Sequence, residues 1–278
     1  MNKFPISPVF VPANKLDWIK KIEASEADCI ILDLEDSVPQ DQKGSARIAL
    51  FEHLKTVEIT ISVLLRINPL DTEAGIADVA LFSKDSSLFD ALVLPKIENP
   101  KDLEKIPNIP NIPIVLLAET PLSIRNLPLL AKDSRVVGIA LGGADLSASL
   151  GSDMSWDSLL FHRSVIVLEC SINNLFSIDS PFMNIDAVGE LKKECLLSSK
   201  LGFNGKSAIH PKQVDTIKSS FLPSDAEIKE ASEVLSIFYL SSEGAVAVNG
   251  KMIDLPVVKS MERTLLLAGI NPETLKES

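Results

Sequence analysis

The sequence predicts an α/β protein: a (β/α)8 TIM barrel followed by a short C-terminal helical extension. Three observations carry that prediction. Short apolar runs rich in β-branched residues recur eight times along the 278 residues, amphipathic stretches separate many of them, and one barrel of about 250 residues accounts for most of the length. Strands of a parallel sheet are buried on both faces, so they read as continuous apolar runs. An open doubly wound sheet competes with the barrel. It calls for a Gly-x-Gly-x-x-Gly turn after an early strand, whereas 142-GGADLSASLG-151 follows the sixth run with different spacing.

In chain order the expected strands are 8-PVFVPA-13, 29-CIILDLE-35, 61-ISVLLRIN-68, 91-ALVLPKIE-98, 112-IPIVLLAE-119, 136-VVGIALGGAD-145, 175-LFSID-179 and 205-GKSAIH-210. Crossover helices are expected in 15-KLDWIKKIEASE-26, 45-SARIALFEHL-54, 157-DSLLFHRSVIVLECSINN-174 and 184-NIDAVGELKKECLLSSKLG-202, where apolar residues recur at spacings of three and four. Asn14, Asp157, Asn184 and Ser224 offer side-chain oxygens to the free amides at helix starts, and Gly202 can close the helix before it. The barrel is expected to occupy residues 1–222. After Pro223 come a helix over roughly 224–240, a glycine-containing segment 244-GAVAVNGKMID-254 and a helical stretch 257-VVKSMERTLLLAG-269. By size this extension, 223–278, is too small for a core of its own.

Composition narrows the function classes. The chain has 27 Lys+Arg against 38 Asp+Glu, a net charge of −11, with 46% hydrophobic and 23% charged residues. That balance excludes a disordered chain and speaks against nucleic-acid binding. No apolar run approaches the ~18 residues of a membrane helix, and the N-terminal MNKFPISPVFVPANK, broken by three prolines, does not read as a secretory leader. Cys29, Cys170 and Cys195 are odd in number, far apart and in apolar surroundings, which suits reduced thiols and a cytoplasmic location.

Polar residues collect where the apolar runs end: Asn14, then Asp33, Glu35 and Asp36, then Arg66 and Asn68, Lys96 and Glu98, Glu119, Asp145, Asp179 and His210. In a barrel those ends meet at one mouth, where barrel enzymes keep their active sites. Glu119 and Asp145 close the fifth and sixth runs and become neighbours. Two such carboxylates repel unless a cation lies between them, and oxygen ligands without thiolates or nearby histidines favour Mg2+. For either residue alone, capping a following helix is the ordinary reading. Arg66 follows three large aliphatics and needs an anionic partner, either a substrate carboxylate or Glu35 or Asp36. Lys43 and Arg47, four apart on one helix face, can grip phosphate or be plain surface charge. Lys96 is either a Schiff-base lysine or the ion-pair partner of Glu98, and the second reading is preferred. His210 braces the mouth, and Asp179 supports the site or starts a turn.

At these residues the sequence resembles the citrate lyase beta-subunit-like family of the HpcH/HpaI aldolase superfamily, relatives of malyl-CoA and citramalyl-CoA lyases. The resemblance runs through 10-FVPAN-14, 30-IILDLEDSV-38, 43-KGSAR-47, 65-LRIN-68, 94-LPKIE-98, 118-AET-120, 142-GGADLSASLG-151, 202-GFNGKSAIHPKQV-214 and 250-GKMIDLPVV-258. It implies a Mg2+-dependent barrel, homotrimeric or hexameric, that splits a β-hydroxyacyl-CoA into acetyl-CoA and a 2-oxo acid. Glu119 and Asp145 match the metal ligands, Arg66 the group on the substrate carboxylate, and Lys43 and Arg47 the CoA contacts. Asn14, Glu35 and Asp36 fall among the substrate-binding positions. Asp254 matches the acidic residue that an extension packed on a neighbouring subunit supplies to that subunit's site. Ala13 stands where the family usually has glycine, and Ser123 and Arg125 follow the AET motif where smaller residues are more familiar. The alternatives are a Schiff-base aldolase using Lys96 and a silent barrel that binds CoA or regulates.

Overall fold

The computed structural model describes residues 5–106, 112–241 and 244–275. Within them the chain divides into two compact units, Met1–Lys218 and Ser219–Ser278. In the first, β1 (Pro8–Pro12), β2 (Cys29–Asp33), β3 (Ser62–Arg66), β4 (Ala91–Leu94), β5 (Ile114–Ala118), β6 (Val136–Leu141), β7 (Phe176–Asp179) and β8 (Gly205–Lys206) pair in parallel in sequence order. The ring closes where the Phe10 amide donates to the Ala208 carbonyl at 2.9 Å and the Ala208 amide to that of Pro8 at 2.8 Å. Closure is the cheapest way to satisfy two edges at once. The helices outside the ring are α1 (Ile19–Glu23), α2 (Lys43–Thr56), α3 (Glu73–Phe82), α4 (Pro100–Leu103), α5 (Pro121–Leu130), α6 (Gly143–Leu150), α7 (Trp156–Asn173), α8 (Val188–Leu201) and α9 (Val214–Phe221).

Every expected strand is present, each shorter than its apolar run. Interior side chains from alternate positions fill the ring, with Ile31, Leu64, Val93, Val115, Leu117 and Phe176 among them. Gly138 is required there, since a Cβ would stand 2.4 Å from the Phe176 ring. All three cysteines are buried and free. Burial raises the thiols, those of Cys170 and Cys195 to about 12.

Local corrections follow from side-chain geometry. Ser224 caps its helix with a full capping box, and Gly202 ends α8 in the left-handed region at φ 116°. Ser155 rather than Asp157 caps α7, Ala187 rather than Asn184 precedes α8, and Asn14 gives its amide to Gln42 and caps nothing. The sixth run ends at Leu141, where the chain turns into α6, so Asp145 lies in the first turn of a helix and not at a strand end.

The second unit comprises α10 (Asp225–Leu240), the antiparallel hairpin of β9 (Ala245–Val248) and β10 (Lys251–Asp254), and α11 (Leu255–Leu267). It does have a buried cluster of its own, formed by Ala231, Val234, Leu235, Val248, Ile253, Val258 and Leu265. Among the described residues no helix is long and apolar enough to cross a membrane.

Candidate active site

Parallel register sets Asp33 of β2 beside Arg66 of β3. The guanidinium grips that carboxylate with two bonds, Nε to Oδ1 at 2.6 Å and Nη2 to Oδ2 at 2.7 Å, and lies 5.0 Å over the Phe10 ring. Its third nitrogen stands 3.1 Å from Glu35 and 3.8 Å from Asp36. Arg66 is therefore held rigidly by an acid that the strand-end reading did not pair with it. Burial raises the Asp33 carboxyl, but Arg66 and the bonds from Ser37 and the Glu35 amide outweigh it and hold it below the usual carboxylate range.

Glu35 is buried, and neither oxygen has a hydrogen bond. Arg66 and the Lys96 ammonium, 3.3 Å away, attend it at ion-pair distance. Burial dominates and raises its carboxyl. Lys96 is thus paired with Glu35 and not with Glu98, which instead accepts from the Thr120 hydroxyl at 2.7 Å. Its backbone explains the change. At φ 56° Lys96 lies in the left-handed region, so the alternation of an extended segment fails there.

The same turn aims the Lys96 amide at Oε1 of Glu119, at 2.9 Å. Glu119 leaves β5 into a cavity of about 320 Å3 at the C-terminal mouth, and Asp145, on the first turn of α6, lines the same cavity. Gly142 makes the approach possible, since a Cβ there would come within 2.4 Å of Glu119 Cβ and 2.8 Å of its Oε2. Burial, then the charges of Glu35 and Asp145, push the Glu119 carboxyl up to about 8 against the pull of Arg66 and Lys96. Its repulsion from Glu35 and Asp145 is the mark of a place where a cation belongs. Among the described residues no group of three or more His, Cys, Asp or Glu side chains is gathered for a metal, so a hard divalent ion held by these two carboxylates would take most of its shell from water and ligand oxygens. The residues fit magnesium.

The remaining expected residues lie elsewhere. Lys43 donates to the Leu34 and Glu35 carbonyls at 3.0 and 2.8 Å, and Arg47 pairs with Asp78 and donates to the Ala74 carbonyl at 2.9 Å, so both tie α2 to neighbouring segments. Asn14 keeps a buried oxygen with no hydrogen bond. Asp254 caps α11 in the second unit, accepting from the Val257 amide. His210 starts a short turn, with Nδ1 accepting from the Lys212 amide. Ser123 belongs to the capping box of α5, and Arg125 lines an outer groove with Phe161 and His162, so neither shapes the mouth.

One group is invisible in the strand-end pattern. Lys206, on β8, is 0% exposed and donates to Asp179 at 2.8 Å, Glu194 at 2.6 Å and the Ser180 carbonyl at 2.6 Å. Arg163 of α7 bonds the other Asp179 oxygen at 2.8 Å. A sequence signal existed for Arg163, which sits on the buried stripe Leu159, Ile166, Cys170 at spacings of four, three and four. None existed for Lys206.

The model of the HpcH/HpaI aldolase/citrate lyase family matches residues 7–211. The chain belongs to that family. Among family relatives it is 30% identical to a (3S)-malyl-CoA thioesterase of Cereibacter sphaeroides, over 94% of each chain, and 30% identical to the citrate lyase subunit beta of Leuconostoc mesenteroides, over 95% of this chain and 93% of that one. Among solved structures, CitE from Mycobacterium tuberculosis in complex with magnesium, acetoacetate and coenzyme A is 28% identical, covers 97% of this chain and 100% of that one, and superposes with a TM-score of 0.83.

Proposed function

We propose that the protein is a magnesium-dependent carbon–carbon lyase that splits a β-hydroxyacyl-CoA into acetyl-CoA and a 2-oxo acid. The observation that carries this reading is the convergence of Glu119 and Asp145 in one cavity, neither in an ion pair among the described residues, beside a guanidinium already fixed in place. Relatives whose names include citramalyl-CoA lyase and citrate lyase subunit beta support it.

Glu119 and Asp145 would hold the ion. Magnesium bound there supplies Lewis acidity, which lowers the pKa of the substrate hydroxyl and absorbs charge as the carbonyl forms. Arg66, unable to swing away from Asp33, presents its remaining N–H groups to the same substrate oxygens and stabilises them without reorganisation. Burial would favour the neutral Lys96 amine, but the Glu35 charge outweighs it and raises the pKa, a protonated state that does not attack carbonyls. That favours the lyase over the Schiff-base route. Lys43 faces two neutral carbonyls and keeps a net positive charge for CoA phosphate, whereas Asp78 neutralises Arg47. Asn14, Glu35 and Asp36 complete the substrate side. The enolate carbon of the leaving thioester needs a proton, assigned to Asp254 from the second unit of a neighbouring copy in a homotrimer or hexamer.

The test is a panel of malyl-, citramalyl- and citryl-CoA with magnesium, followed by chromatography. Acetyl-CoA and a 2-oxo acid should appear together, stop with EDTA and resume with added Mg2+. Free CoA without a 2-oxo acid would mean thioester hydrolysis instead, as the thioesterase relatives suggest, and untouched thioesters would overturn the reading.

A pH signature follows from Glu119. Its carboxyl, raised to about 8, must lose its proton to bind metal. Magnesium binding at pH 7 should therefore release close to one proton, falling toward none above about pH 9, measurable by titration calorimetry in buffers of different ionisation enthalpy. Because the folded value lies above the unfolded one, the metal-free protein should lose stability as pH rises between about 4.5 and 8, opposite in sign to the contribution of Asp33.

A further inference from the structure

Resting on that reading, the charge inventory of the cavity carries one step more. Among the described residues lining it, Asp33, Asp36, Glu119 and Asp145 are acidic and Arg66 is the single cation. A divalent ion would lower the excess of negative charge without reversing it. The anion-binding capacity is also concentrated in one place. Two of the Arg66 nitrogens are bonded to Asp33 and the third faces Glu35, so the N–H groups that remain would serve one substrate carboxylate. The first turn of α6, which carries Asp145, adds the partial positive charge of a helix N-terminus at the same cavity. Apart from Ser37 and Ser207, the rest of the lining is apolar or glycine, with Leu117, Leu141, Met154, Pro181, Met183 and Ile209 among it. Of the lining hydroxyls, that of Ser37 is committed to Asp33 at 2.5 Å, leaving Ser207. Lys96 is not in the lining and is paired with Glu35, and Lys206 and Arg163 are 0% exposed and engaged with Asp179.

We infer that the 2-oxo acid released is monocarboxylic, with a hydrogen or alkyl group on its keto carbon, and that an acid with a second carboxylate is rejected. Such a carboxylate would lie against thioether and aliphatic groups in a cavity of net negative charge, with no second cation among the described residues lining it, whereas an alkyl group gains contact there. Rejection by an unmatched charge is a stronger filter than one methyl more or less.

The experiment measures binding of 2-oxo acids to the magnesium-loaded protein by calorimetry, so it does not depend on turnover. Pyruvate, oxaloacetate and 4-methyl-2-oxopentanoate are compared, the last replacing the second carboxylate of oxaloacetate with an uncharged isopropyl group branched at the same carbon. Pyruvate and 4-methyl-2-oxopentanoate should bind at least about tenfold more tightly than oxaloacetate, and Met183→Arg, at an exposed position, should raise the oxaloacetate affinity about tenfold. Oxaloacetate binding as tightly as its isopropyl counterpart in the parent protein overturns the inference. Failure of the lyase reading looks different: the 2-oxo acids bind in the expected order and no thioester is cleaved.

Discussion

Replacing Glu119 with glutamine is expected to abolish magnesium binding and to cut cleavage at least ~10³-fold, while the metal-free protein becomes more stable above pH 7. The two effects have opposite signs because they share one cause. Glutamine keeps the shape and still accepts from the Lys96 amide, as Oε1 of Glu119 does at 2.9 Å. Its other terminal atom becomes an uncharged N–H donor where the charges of Glu35 and Asp145 act against the parent carboxylate. A buried charge and its like-charge neighbours are relieved, a gain of a few kcal/mol at pH 8 and of little at pH 5, where the parent is already protonated. Urea unfolding at the two pH values, with and without magnesium, reads both. Retained metal affinity in the variant, or a loss of metal-free stability at pH 8, would remove Glu119 from the role assigned to it.

The barrel was legible because a parallel sheet buried on both sides leaves continuous apolar runs, and eight of them with helices between admit few folds. Their ends were less so. Gly142-Gly143-Ala144 continues the apolar composition of β6, and only the turn at Gly142 reveals that Asp145 belongs to α6. Counting alternate residues paired Lys96 with Glu98, an argument that requires an extended chain and fails at one residue with positive φ. The second unit carries its own signal: Asn249 and Gly250, both with positive φ, turn the hairpin between β9 and β10, and Asn-Gly between apolar residues is the strongest short-range hairpin pattern. Its own small core came from that hairpin packing with α10 and α11, which length alone could not foretell.

The buried ions were the least legible, since a lysine in 205-GKS-207 looks like any surface lysine, yet they should matter most for stability. Asp179→Asn is expected to cost about 3–5 kcal/mol, lowering the melting temperature by roughly 6–20 °C. Burial alone would raise the Asp179 carboxyl, but Lys206 and Arg163 outweigh it and hold it low, so the full contribution is present at neutral pH and fades as the solution is acidified. Without that charge, Glu194, at 2.6 and 3.7 Å, is the one carboxylate left beside Lys206 and Arg163 among the described residues, and both cations are 0% exposed. Lys206→Met should cost less, because Asp179 keeps Arg163 at 2.8 Å and the Ser180 amide at 2.9 Å, and a thioether fills the space. The distinguishing measurement is the double variant Asp179→Asn with Lys206→Met. It removes one charge of each sign, leaves Arg163 to Glu194 and to the face of Trp156 at 4.6 Å, and should unfold at higher urea than Asp179→Asn alone. Strict additivity of the two single changes would mean that these ions act as separate contacts and not as one neutral group. In that case the rigidity of the β7 end, where Ser180 packs against Gly143 at the start of α6, would need another source.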